Sequence, residues 1–117
     1  MERERRQGPE GPRAEVARAR RVVVKIGSRT LASDPGVYSR LAGALAAAQR
    51  DKRSVLLVSS GAIALGTAKL GFGARPKEMA KLQAAAAAGQ TALMQAYEQA
   101  FAAEGLPVAQ VLLSHAD

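Results

Sequence analysis

Two short stretches of the chain combine residue types that handle anions. In Val22-Val23-Val24-Lys25-Ile26-Gly27-Ser28 a lysine sits within a β-branched run and a glycine follows two positions later. An ammonium is costly inside a buried strand unless it reaches an anion or water. A glycine beside it lets backbone N–H groups come close to a ligand. Lys25, Gly27 and Ser28 together have the makings of a phosphate cradle, a point charge with amide and hydroxyl donors. A second reading is open: Lys25 snorkels at a strand end and Gly27 only turns the chain. In Val58-Ser59-Ser60-Gly61-Ala62 a strand-like run passes through a serine–glycine turn into an apolar, helix-like stretch. The first N–H groups of a helix lack partners and carry the positive end of its dipole, so Ser60, Gly61 and Ala62 suit a carboxylate or phosphate. Here too a plain cap is an alternative, with Ser59 or Ser60 satisfying the first turn.

These segments need a frame. Arg21–Ile26 reads as a strand covered on both faces. Asp34-Pro35 opens a helix carrying Tyr38, Leu41, Ala42, Leu45 and Ala48, which runs to about Arg50. Asp51-Lys52-Arg53 is a charged turn. Ser54–Val58 is a second strand, and residues 62–70 form a helix closed by Gly71 and Gly73. Residues 78–104 form a long helix with Leu82, Ala86, Gly89, Leu93, Tyr97 and Ala100 on one face, stopped by Gly105 and Pro107. Within it, Ala84–Ala88 reads as a close-packing face. Residues 108–113 form a third strand. Strands alternating with helices predict an α/β fold, a parallel sheet with helices on both faces and right-handed crossovers. Residues 1–19, polar and broken by Pro9 and Pro12, read as a disordered arm, and 20–117 as one domain. The chain stops after its third strand, where the next ligand-facing loop of an open sheet would begin, so truncation is expected.

Composition narrows the chemistry. With no Cys and one His in 117 residues, thiolate metal sites and His-pair sites are excluded. His115 has no nucleophile or acid that can be placed beside it. Aromatics are 3 % with no Trp, so a base-stacking platform is excluded. The net charge of +7 divides as +3 over residues 1–21 and +4 over the rest, a spread surplus that draws in small anions. No apolar run is long enough to span a membrane, and the amino terminus lacks a signal-type core, so a cytoplasmic protein is expected. Gly61 and Gly66 have Walker A spacing, but Thr67 stands where that loop needs Lys. Gly71-Phe72-Gly73 starts a dinucleotide fingerprint after a helix, with Pro76 at the third glycine position.

Taken in order, Val22–Ser28, Val58–Gly66, Lys81–Gln90 and Gln110–Leu113 resemble the amino acid kinase family. Within it they are most similar to the branch acting on the side-chain carboxylate of L-glutamate, over nearly all of residues 21–117. The resemblance implies an αβα sandwich and ATP-dependent transfer of the γ-phosphoryl group to glutamate, the first step toward proline. It implies that Lys25 is the catalytic cation and binds the ATP phosphates with Gly27 and Ser28. Ser60, Gly61 and Ala62 would contact glutamate. Mg²⁺ is implied as well, with no ligand set visible in the chain. Other members, acting on acetylglutamate, aspartate or uridylate, usually carry a second glycine after the strand lysine, whereas Gly27 is followed here by Ser28. Arg29 departs from the small or polar residue common there, and Ser114-His115-Ala116-Asp117 from a threonine-arginine-x-aspartate pattern. With the remaining glutamate and nucleotide residues absent, the chain alone is expected to be inactive. The partners expected are small molecules, with no membrane and with nucleic acid disfavoured, and the small-residue helix face is compatible with a homo-oligomer. A basic nucleic-acid-binding module is the non-enzymatic alternative, resting on the net charge and the Arg-rich arm.

Overall fold

The computed structural model describes residues 11–113. Residues 1–10 of the expected arm, and Ser114 to Asp117 with His115, lie outside them. In chain order the elements are α1 (Pro12–Arg18), β1 (Arg21–Ile26), α2 (Ser28–Ser33), α3 (Val37–Arg50), β2 (Ser54–Ser59), α4 (Ala62–Lys69) and α5 (Met79–Ala102). β1 and β2 are parallel and in register from Arg21↔Ser54 to Ile26↔Ser59. The α/β alternation with a parallel sheet is therefore present.

Several expectations change. Residues 12–18, read as part of a disordered arm, form α1. Pro12 opens it, Glu15 sits in its first turn and Arg18 in its last, the arrangement that suits the helix dipole. The stretch after Gly27 is helical over Ser28–Ser33, which moves the start of the next helix to Val37; Asp34 then accepts a bond from the Gly36 N–H at 3.1 Å instead of capping the helix. Residues 108–113 pair with no strand. Gln90 donates to the Gln110 side chain at 2.6 Å, and a cleft of about 590 Å³ separates this segment from β2. A run that is apolar on both sides gains from joining a sheet only when both faces are covered.

Among the described residues the sheet is covered on one face, not two. Val22, Val24, Ile26, Val55, Leu57 and Ser59 are half-buried or buried, while the alternate positions are exposed, Val23 at 65 % and Leu56 at 59 %. The core on the covered side joins Ile26, Leu31, Val37, Ala42, Leu93, Tyr97 and Phe101. Tyr97 meets Tyr38 edge-on at 5.1 Å between ring centres, a geometry that ring quadrupoles favour. In α5 the buried face is Ala85, Gly89, Leu93, Tyr97 and Phe101, so Ala85 and Phe101 stand where Ala86 and Ala100 were expected.

α4 and α5 cross at backbone contact. A Cβ on Gly66 would lie 1.6 Å from the Ala85 carbonyl oxygen, and one on Gly89 would lie 1.6 Å from that of Ala62. The expected close-packing role of the alanine run is thus observed, with glycine opposite it.

Three helices end on the same bonding pattern. At α4, Phe72 N–H bonds to Thr67 O and Gly71 N–H to Ala68 O; at α5, Leu106 N–H bonds to Phe101 O and Gly105 N–H to Ala102 O. At α3, Arg53 N–H bonds to Ala48 O and Lys52 N–H to Gln49 O. This is the Schellman closure, whose left-handed position favours glycine. Gly71 and Gly105 hold it at φ 73° and 75°, but at α3 it is Lys52, at φ 62°. A side chain there costs about 1–2 kcal/mol.

Candidate anion-binding site at the strand ends

The register of β1 and β2 brings the two sequence-singled turns together. Lys25 faces Val58, Ile26 faces Ser59, and Ser60 N–H donates to the Ile26 carbonyl at 3.3 Å. In parallel sheets ligands bind in the crevice beyond the carboxyl ends of the strands, and both turns lie at that end.

Gly61 takes φ 114°, a left-handed conformation that makes glycine the fitting residue. It packs against the first residue of α2: a Cβ there would lie 3.6 Å from Ser28 Cα and Cβ. The starts of α2 and α4 are therefore neighbours. Gly27 and Gly61 precede these helices with no side-chain cap, and neither first turn carries an acidic residue. The first amides of α4, from Ala62 onward, are not capped by a side chain. Beside Gly27 nothing approaches within 4 Å of a Cβ position, so the space over this turn is open.

Lys25 lies on the exposed face of β1. The expected burial penalty does not arise there, because its ammonium has access to water. Ser60 is exposed and Ser28 half-buried. Arg29, in the first turn of α2, adds a second exposed cation at this end.

A contact that sequence reasoning missed, between Ser59 and Tyr97, supports the serine turn. Ser59 Oγ donates to the Ser60 carbonyl at 3.1 Å and lies 2.8 Å from the Tyr97 hydroxyl. Either hydroxyl can be the donor of the Ser59–Tyr97 bond. The long helix α5 is thereby tied to the end of β2. Burial raises the Tyr97 pKa above its ordinary value, partly countered by the Ser59 bond. Burial, and then the neighbouring Tyr97, raise that of Tyr38. The one available signal was a tyrosine on the core face of α5, since a buried hydroxyl needs a partner.

Among the described residues no three His, Cys, Asp or Glu side chains gather to hold a metal ion. Nor is any helix among them long and apolar enough to cross a membrane.

Residues 20–117 match the amino acid kinase family. The chain belongs to that family. Its curated relatives include the glutamate 5-kinase of Pelobacter propionicus, 53 % identical over 103 residues, covering 84 % of this chain and 28 % of the relative. The glutamate 5-kinase of Myxococcus xanthus is 51 % identical over 105 residues, covering 85 % and 27 %. That of Ralstonia nicotianae is 50 % identical over 111 residues, covering 90 % and 29 %. This family member therefore spans under a third of the length of the curated relatives it matches.

Proposed function

We propose that this chain supplies the phosphate- and carboxylate-binding turns of an enzyme that phosphorylates the side-chain carboxylate of L-glutamate with ATP. The observation that carries the reading is the parallel register that sets Lys25 and the Ser60 turn side by side at the carboxyl ends of β1 and β2. The names of the relatives supply the substrate.

The nucleophile in such a reaction is a carboxylate, with an ordinary pKa of about 4.3, and is ionised at neutral pH. No general base is required. The physical problem is to bring two anions together and to hold the charge of the transferring group. Lys25 contributes a positive charge toward the ATP phosphates. Gly27 leaves room for them to approach the backbone, and Ser28 adds a hydroxyl donor. Ser60 and the amides of Gly61 and Ala62 receive the glutamate carboxylate at the start of α4. Tyr97 and Ser59 hold that turn in place. Mg²⁺ bound with the ATP would neutralise part of the phosphate charge.

The test is a chimera that joins this chain to the carboxyl-terminal remainder of the Pelobacter propionicus relative. Glutamate-dependent ADP release and trapping of the acyl phosphate with hydroxylamine are expected. Lys25→Ala should lower turnover at least tenfold with little change in unfolding midpoint, because an exposed ammonium contributes little to stability. A preference for acetylglutamate over glutamate, or equal losses of activity and stability in Lys25→Ala, would overturn the assignment.

A further inference from the structure

Charge that is spread along the sequence gathers in the fold. The amino-terminal ends of β1 and β2 lie side by side, with Ser54 N–H on the Arg20 carbonyl at 2.7 Å. The last turn of α1 is tied to the same place, because Arg53 donates to the Ala17 carbonyl. The end of α3 enters it through the Asp51–Lys52 turn. Among the described residues, α1 and these turns bring Arg13, Arg18, Arg20, Arg21, Arg50, Lys52 and Arg53 together with Glu15 and Asp51, seven cations against two carboxylates. Their net charge of +5 is most of the +7 of the whole chain. This edge is at the opposite end of the strands from the Lys25 and Ser60 turns.

Arg20, Arg21, Arg50 and Lys52 are exposed. Lys52 is informative in its own right. The Schellman closures of α4 and α5 use glycine, and that of α3 holds a lysine in the same left-handed conformation. A cation thus stands at a position where the backbone favours a residue without a side chain.

We propose that this edge is a docking surface for the phosphate backbone of a nucleic-acid duplex. Six of the seven cations are arginines, whose planar fork fits phosphate oxygens with two parallel bonds. The segments 11–21 and 50–53 contain no aromatic residue, so the surface has nothing on which unpaired bases could stack. An acidic membrane fits less well: a surface helix needs an apolar face, and α1 offers Val16 as its one exposed large apolar side chain. Contact to phosphates alone makes binding independent of base sequence and strongly dependent on salt.

The experiment measures binding of the 117-residue chain to a fluorescein-labelled 20-base-pair duplex by anisotropy, between 50 and 200 mM salt. With Arg20, Arg21, Arg50 and Lys52 each meeting a phosphate, log K should fall with log salt at a slope of about −3 to −4. Lys52→Gly separates charge from folding, since glycine suits that backbone; its unfolding midpoint should hold or rise while the slope becomes shallower by about one. Arg20→Gln/Arg21→Gln should weaken binding at least tenfold. Arg29→Gln, which removes a charge at the other end of the strands, should leave affinity within twofold. Equal losses in Arg29→Gln and Lys52→Gly would overturn the proposal by reducing it to net charge. So would binding to phosphatidylserine vesicles without binding to the duplex, or affinity that survives loss of Arg20, Arg21 and Lys52.

Discussion

Replacing Gly89 by alanine tests the α4–α5 crossing directly. Helix propensity alone makes the substitution favourable by about 1 kcal/mol, because glycine loses more freedom than alanine in a helix interior. The crossing opposes it. The new methyl would lie 1.6 Å from the Ala62 carbonyl oxygen and 2.6 Å from the Gly66 nitrogen, both backbone atoms that no rotamer can move. Returning the shorter contact to 3.0 Å parts the helices by about 1.4 Å, a strain beyond the 1–3 kcal/mol usual for one excess methylene. The net loss is therefore about 1–2 kcal/mol or more, read as a fall of ~4–16 °C in unfolding midpoint. Gly43→Ala is the matched control. Its methyl would meet only the Glu104 carboxylate oxygen, at 3.9 Å, so propensity decides and the midpoint should rise. Thermal and urea unfolding followed by helical circular dichroism measure both. A Gly89→Ala chain as stable as the parent, with α4 unmoved, would refute the account of the crossing.

Thr67 buries a hydroxyl that has no partner among the described residues; Thr67→Val should raise stability by about 1 kcal/mol in urea unfolding, and a loss of that size would show that the hydroxyl is bonded. Both tyrosines have raised pKa values, so their neutral forms favour the folded state. That stability is fully present below pH of about 10 and is lost as pH rises through the folded values. Absorbance at 295 nm, free of tryptophan in this chain, should show titration displaced to higher pH in the folded protein and ordinary titration in urea; coincident curves would contradict the burial of Tyr38 and Tyr97.

The parts of this fold that are local were readable in advance. β1 and β2 are apolar, β-branched runs closed by Gly27 and by Ser60-Gly61, and α4 and α5 end on Gly71 and Gly105. Pairing was partly readable: alternation implied parallel strands, and parallel strands bring Lys25 and Ser60 to one end. What escaped depends on contacts distant in sequence. α2 has no strong helical signal and forms where the chain leaves β1, with Leu31 buried in the core. Residues 108–113 carry a strand-like pattern, yet pairing would need cover on both sheet faces. The Tyr97–Ser59 bond joins residues 38 apart, and no local rule marks either as a partner. The charge at the amino edge was invisible for a similar reason: α1, β1 and the turn before β2 meet only in three dimensions.

The uncovered side of the sheet also bears on how this polypeptide behaves in the laboratory. Val23, Leu56 and Val58 offer solvent a patch of aliphatic groups on an otherwise ordered scaffold. Dyes that brighten on greasy surfaces are commonly taken to report loosened interiors. Here they have a docking place on the intact molecule, so their emission should be read beside near-ultraviolet dichroism before any sample is judged misfolded.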